Sequence, residues 1–384
     1  MANDGLTHTP TTLEEEGSRV LPPADDVAAR FSVAPHPNLT SDADWKAAMS
    51  DLKFGMQFSD HMARAVWTAG EGWHDKQIVP YGPLSLSPAA AILHYGQEVF
   101  EGMKAYRHED GSIWTFRPGY NAARFNASAR RLALPEIPVE DFLASVVQVV
   151  REDERWVPTP AGTSLYLRPF MFASEPFLGV HAARENTYLM IASPVGAYFE
   201  GGLKPVSIWV SRDYHRAGPG GTGAAKTAGN YASSLLPQQE AAERGFDQVC
   251  FLDAREARYL EELGGMNVFV VRKNGSVVTP ALTGTILEGS TRSAIIRMLR
   301  DKGTPVFEDH IALDELVADI RSGEVTEMFA CGTAAVVTPI GRLASSDFEV
   351  ELDKSDFALA VYNQLVGIQN GTEPDPYNWL YRLA

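Results

Sequence analysis

The stretch GPGGTGAAKTAGNYA (218–232) is where the reading of this chain turns. Gly218-x-Gly220-x-x-Gly223 matches the dinucleotide fingerprint, whose glycines let a strand–turn–helix unit approach a pyrophosphate. That fingerprint opens a helix at once, and here no periodic helix follows until well past Asn230. A P-loop is excluded too, because Lys226 is preceded by Ala225 where the motif needs glycine. What remains is Lys226 itself, one of nine lysines, in a 26-residue window (214–239) that holds no acid. A lysine desolvated among small residues has a lowered pKa, which frees the amine as a nucleophile or base. A lysine on a solvated glycine-rich loop is the plainer alternative.

Outward from this loop, 384 residues suggest two domains. The chain carries 33 Lys+Arg against 49 Asp+Glu, a net charge of −16, which argues against a nucleic-acid-binding surface. With 45% apolar and 21% charged residues it is an ordinary globular mixture. Cys250 and Cys331 form no CxxC pair, so no zinc or dithiol motif is present, no metal is expected, and a reduced compartment is the plain inference. No run approaches the roughly 18–20 apolar residues of a membrane span. Residues 1–30 hold six acids and no apolar signal core, and read as a flexible acidic tail on a cytoplasmic protein.

The body of the chain reads as α/β. Residues 121–132 suggest a helix capped by Asn121, and 139–150 a helix with Phe142, Val146, Val149 and Val150 on one stripe. Strands are expected at 165–167, 188–191, 206–210 and 248–252. A hairpin is expected at 268–278 around Asn274-Gly275, a short helix at 237–245 and another at 293–300. The glycine-bearing stretch 195–202 is the candidate hinge.

Acids are also missing from 111–135, 263–287 and 328–346. Such windows mark buried strands or line a site for an anion. Gly289-Ser290-Thr291-Arg292 opening a helix favours the second, since free amides at a helix N-terminus bind phosphate. The turn at Cys331-Gly332-Thr333-Ala334 offers more N–H groups and a hydroxyl. A lysine amine beside a phosphate cradle suggests pyridoxal phosphate, which also needs a carboxylate for its ring nitrogen. Glu261-Glu262 precede a strand, and neighbours on an extended segment face opposite ways, so one is expected inside and the other in water.

Seven blocks in order now resemble a known family: FGMQFSDHM (54–62), LHYGQEVFEGMKAY (93–106), GTSLYLRP (162–169), PVGAYF (194–199), KTAGNYA (226–232), EELGGMN (261–267) and CGTAAVVTPI (331–340). The chain resembles the branched-chain amino-acid aminotransferases, L-specific members of the fold-type IV pyridoxal-phosphate enzymes. The resemblance implies a two-domain α/β (α+β type) fold with the cofactor at the domain interface. The parts would be a tail at 1–30, a smaller N-terminal α/β domain at 31–195, a linker at 196–204 and a larger cofactor-binding domain at 205–384. It implies a reversible two-step exchange from L-leucine, L-isoleucine or L-valine to 2-oxoglutarate, giving L-glutamate. That reaction ends branched-chain amino-acid biosynthesis and begins degradation.

The same resemblance implies that Lys226 is the Schiff-base lysine and proton carrier. Glu262 would hold the pyridinium, and Tyr231 the ring hydroxyl. Arg124, Ser290, Thr291 and Thr333 would take the phosphate. The substrate pocket would draw on Phe54, Tyr95, Phe100, Tyr166, Arg168, Tyr198, Met266 and the Thr333–Ala334 turn. The turn amides would take the substrate carboxylate, with Arg168 and Tyr95 serving the second carboxylate of 2-oxoglutarate. Tyr95, Tyr166 and Arg168 would reach into the neighbouring subunit's site, implying a homodimer. Fold-type IV D-amino-acid transaminases and aminodeoxychorismate lyases share the lysine–glutamate pair, so the blocks around Tyr95, Tyr166 and Arg168 discriminate. Two departures stand out: Gly265 replaces a threonine of mammalian relatives, and their CxxC pair is here Ala335 and Thr338.

Overall fold

The computed structural model describes residues 12–196 and 204–384. The chain divides into two units. The first takes in the described residues up to 196, then Ala225–Ala228 and Gly367–Ala384; the second takes in 204–224 and Gly229–Val366. Of the expected 196–204 linker, 197–203 lie outside the described residues, as does Tyr198.

The first unit is a sheet with helices against it. Its strands run in the order Ser32–Val33, Gly72–Pro80, His61–Thr68, Glu185–Val195, Ser164–Ala173, Met103–Arg107, Ile113–Phe116 and Leu380–Arg382. The short strand Glu98–Phe100 also pairs with Ser164–Ala173. The stripe expected from the sequence is buried on the helix Val139–Glu152: Phe142, Val146, Val149 and Val150 all sit in the core with Phe125 and Tyr188. The helix Pro118–Arg131 starts three residues before the expected cap. Pro118 presets its first turn, and Asn121 lies inside the helix, donating its amide to Glu101 at 2.7 Å.

Two expected boundaries need correction. Residues 12–30 are folded: Thr12–Gly17 and Ala24–Ala28 are helices against Pro118–Arg131 and Val139–Glu152. Ala24, Val27, Ala28 and Phe31 are buried while Asp25 and Asp26 stay outside, so an acidic composition concealed one apolar face. The chain end also returns to the first sheet, Leu380–Arg382 pairing antiparallel with Ile113–Phe116. The unit expected at 205–384 thus gives up both 367–384 and the segment carrying Lys226.

The second unit is built on a mixed sheet in the order Leu260–Leu263, Gln248–Leu252, Val206–Val210, Val336–Ala344, Val325–Gly332, Asn267–Arg272, Val277–Pro280 and Val306–Asp309. Glu349–Glu351 is added to Val336–Ala344. The Asn-Gly hairpin forms as expected, pairing Val270 with Val278 across a turn in which Gly275 has φ +83°. The expected short helices form at Leu235–Glu243 and Ser290–Asp301. Val268, Val270, Met328, Ala330 and Ile340 fill a core between this sheet and the helix Leu313–Ser322.

Candidate active site

In the first unit, strand pairing assembles one wall of a site. Glu98 lies opposite Phe172 and Phe100 opposite Phe170. Side chains alternate along a strand, so Glu98, Phe100, Tyr166, Arg168, Phe170 and Phe172 share one face. The crossing segment 225–228 is tied to that edge. Phe100 N donates to Lys226 O at 3.0 Å, Thr227 Oγ1 to Glu98 O at 2.6 Å, and Ala228 N to the Glu98 carboxylate at 3.0 Å. Lys226 N donates to Ser128 Oγ at 2.9 Å. The backbone of Lys226 is therefore pinned from two sides, and the solvated-loop alternative fails.

The Lys226 ammonium lies 4.6 Å from the centre of the Phe100 ring, and the Arg168 guanidinium 4.8 Å from it. Each is in cation–π range. Arg168 Nη2 donates to Tyr166 Oη at 3.0 Å, and its buried Nε has no hydrogen-bond partner among the described residues. Phe54 meets Tyr166 edge-on at 4.9 Å. A Cβ on Gly102 would run into the Tyr166 hydroxyl, so a side chain there would push that hydroxyl aside.

Tyr166 and Arg168 thus stand beside this chain's own Lys226, which corrects the expectation that they serve a neighbour's site. The register with Glu98–Phe100 fixes them there. Tyr95 differs: it is exposed, with its hydroxyl on Leu178 O. Arg124 is buried and forked onto Glu101, Nε to Oε1 at 2.7 Å and Nη2 to Oε2 at 2.8 Å.

In the second unit the acid pair is resolved differently from the sequence expectation. Glu261 and Glu262 both lie within the strand Leu260–Leu263, and both are buried. Glu262 forms an ion pair with Arg216 Nη1 at 2.7 Å and accepts a hydrogen bond from Leu287 N at 2.9 Å. Arg216 also donates to Gly223 O and Thr285 O, so it ties the glycine loop to the acid. Glu261 receives the Thr285 hydroxyl, and burial raises its pKa above the usual range. Neither acid is left in water because both faces of this edge strand are covered.

Ser290 and Thr291 open the 12-residue helix Ser290–Asp301, both buried. Gly289 before them leaves no room for a Cβ, which would fall 2.1 Å from Asn267 Oδ1. Thr333 and Ala334 sit in the tight turn between Val325–Gly332 and Val336–Ala344. That turn holds Val336 at φ +61°, a conformation a β-branched residue rarely adopts. Met266 reaches Gly332, its Cγ 3.4 Å from where a Cβ would sit. Gly265 lies beside Tyr231, with 3.7 Å from its own would-be Cβ to the ring. Cys331 is buried and free, and burial pushes its thiol up to about 12, which suits a packing role.

A family model described as amino-transferase class IV matches residues 98–343, which take in Glu98, Arg168, Lys226, Glu262 and Ser290 alike. The chain belongs to the amino-transferase class IV family. It is 51% identical over 358 residues to a probable branched-chain-amino-acid aminotransferase of Streptomyces coelicolor, covering 92% of this chain and 99% of that one. It is 51% identical over 360 residues to the branched-chain-amino-acid aminotransferase of Mycolicibacterium smegmatis, covering 92% and 98%. Among solved structures it is similar to the branched-chain amino acid aminotransferase of Thermoproteus uzoniensis with norvaline. There the TM-score is 0.70 at 27% identity, over 84% of this chain and all of that one. Another solved branched-chain amino acid aminotransferase, from T.th., is complexed with N-(5'-phosphopyridoxyl)-L-glutamate and matches with a TM-score of 0.69 at 28% identity, over 84% and 99%.

The family match begins at Glu98, a residue that reading the sequence passed over along with Glu101 and Arg216. The block LHYGQEVFEGMKAY contained both acids, but nothing in it told that Glu98 would face Lys226 across 128 residues of chain. Lys226 is acid-free only along the sequence; Glu98 lies within electrostatic reach of it and of Arg168.

Proposed function

We infer that the protein is a pyridoxal 5'-phosphate-dependent branched-chain-amino-acid aminotransferase, passing the amino group of L-leucine, L-isoleucine or L-valine to 2-oxoglutarate. The observation that carries this reading is the lysine pinned at both backbone ends, its ammonium against the same Phe100 ring as the Arg168 guanidinium, whose Nε has no partner among the described residues. The donor set of the chain fits the cofactor. Glu262, braced by Arg216, suits a protonated ring nitrogen, and Tyr231 a ring hydroxyl. The first-turn amides at Ser290 and Thr291 suit a phosphate, with Thr333 and Arg124.

When bound, pyridoxal 5'-phosphate supplies an electron sink for the carbanion formed at the amino acid's Cα. Lys226 Nζ takes up the proton from Cα and redelivers it, and its clamp holds the amine in one place through both half-reactions. Phe54, Phe100 and Tyr166 of the first unit suit a branched apolar side chain, as does Met266 of the second. The Thr333–Ala334 amides take the substrate carboxylate, and Arg168 the second carboxylate of 2-oxoglutarate, donating its Nε–H to it.

The protein acts as a homodimer in this reading. Leu84, Leu86, Leu93 and Tyr95, with Phe177, Leu178 and Val180, are exposed apolar residues, and the Tyr95–Leu178 hydrogen bond joins their two segments. Tyr95 is then the residue offered to the neighbouring site. Free Cys250 and Cys331 suit a cytoplasmic location, and among the described residues no helix is long and apolar enough to cross a membrane.

Purified protein is expected to be yellow, with borohydride locking the cofactor onto the peptide that contains Lys226. Replacing Lys226 by Ala should lower turnover by on the order of 10⁴-fold or more with the fold intact. A panel of L- and D-amino acids with 2-oxoglutarate should show turnover of L-leucine, L-isoleucine and L-valine. Preference for D-amino acids, or label on another lysine, overturns the reading.

A further inference from the structure

We propose that Glu98 is the charge-balancing residue of the substrate pocket. Its carboxylate offsets Arg168 while an apolar side chain occupies the pocket, and it takes up a proton from solvent when a dicarboxylate brings a second negative charge to Arg168. The proposal rests on the reading that Arg168 receives that second carboxylate.

The argument starts from what one pocket must do. A ping-pong aminotransferase of this kind binds, in turn, a branched apolar side chain and a carboxylate side chain in the same place. A guanidinium facing an apolar side chain is an uncompensated cation in a partly desolvated site, which is costly. A guanidinium with a permanent counter-ion would instead repel the incoming carboxylate. A carboxyl group able to change its charge between the two complexes removes the conflict.

Glu98 has the placement this requires. Strand register puts it on the same face as Arg168, one strand over, and on the face of Phe100, whose ring both Arg168 and Lys226 approach. The charged groups within its reach are Arg168, from the strand Ser164–Ala173, and Lys226, from the crossing segment. The cation on the packed helix Pro118–Arg131, Arg124, already carries its own counter-ion in Glu101. The Glu98 carboxylate accepts a hydrogen bond from Ala228 N at 3.0 Å and has no direct ion pair among the described residues. It is therefore held in position but not locked in one charge state. Burial, the largest influence, pushes its pKa up to about 7, against the lowering effects of Ala228 N, Arg168 and Lys226.

The test is calorimetric and uses the holoenzyme with two unreactive ligands, glutarate and 4-methylpentanoate. Binding is measured at pH 8 in buffers of different ionisation enthalpy, which counts protons taken up. Glutarate is expected to bring in up to one proton more than 4-methylpentanoate, and its Kd should rise relative to that of 4-methylpentanoate by as much as about tenfold per pH unit above 7. In Glu98→Gln, which keeps an acceptor for Ala228 N, the extra proton and the relative pH slope should both vanish. The wild-type measurement stands alone if the variant fails to fold: equal proton uptake with both ligands overturns the proposal. So does an extra proton that survives in Glu98→Gln. Arg168→Gln separates the underlying reading, because it should weaken glutarate at least tenfold more than 4-methylpentanoate. If it weakens both equally, the role of Arg168 fails and the proposal with it; if it is selective while the extra proton persists in Glu98→Gln, only the role of Glu98 fails.

Discussion

Glu262 in the second unit and Glu98 in the first are both carboxylates set into strands beside groups expected to handle the substrate. Their surroundings differ. Glu262 is bound by a guanidinium at 2.7 Å and a backbone N–H at 2.9 Å, and that guanidinium is itself fixed on two carbonyls. Glu98 has a single backbone N–H, with its cations at a distance. The contrast matches the roles proposed for the two acids. A group that must hold one proton on a ring nitrogen through every turnover needs an unchanging counter-ion. A group in a pocket that alternates between apolar and acidic occupants gains from being able to change its charge. Glu101, three residues from Glu98, shows that this strand region can also build the fixed kind, with its fork from Arg124.

The largest break in this comparison comes from the fixed partner. Arg216→Ala strands Glu262 in the interior, a loss of about 3–5 kcal/mol for a buried pair deprived of one member. Thermal unfolding should drop accordingly, and the cofactor should leave on dialysis. Unchanged melting with the cofactor retained would show that Glu262 does not depend on its pair.

A smaller effect is expected at Gly102. An added methyl there meets the Tyr166 hydroxyl at 2.2 Å, which must move and release Arg168 Nη2. Gly102→Ala should lower kcat/KM for 2-oxoglutarate by about 10–100-fold, since displacements near 1 Å are that costly. The loss for L-leucine should be smaller if, as proposed, only the dicarboxylate uses Arg168. Equal losses for both would mean that Tyr166 shapes the pocket as a whole and not the guanidinium in particular.

These residues also mark how far the sequence could be read. The helix opened by Ser290 and Thr291 and the unusual setting of Lys226 were legible because their signals are local: a glycine before a helix, and an acid-free window among small residues. The Asn-Gly hairpin and the stripe of Val139–Glu152 were legible for the same reason. Glu98, Glu101 and Arg216 were not, since each acts through a partner far along the chain that only the tertiary fold brings to it. The acid pair misled because alternation says only that neighbours face opposite ways; it does not say whether water covers either face. The folded 12–30 segment was hidden by averaging, as its acids outnumber the few apolar residues that dock it.

The smallest effect is the most direct measure of the switchable acid. A carboxyl whose pKa rises from the usual 4.5 to about 7 on folding binds more protons in the folded chain across that interval. Stability attributable to Glu98 therefore falls as pH rises from 4.5 to 7, and the cost is complete above it. Glu98→Gln carries no such cost. Urea midpoints should show the variant gaining on the wild type between pH 5 and pH 8 by an amount of order 1–3 kcal/mol. A matching variant at Glu262 should behave differently, since Glu262→Gln loses its ion pair with Arg216 and should be destabilised at both pH values. If the Glu98→Gln difference is the same at pH 5 and pH 8, the two acids are of one kind and the contrast between the units falls.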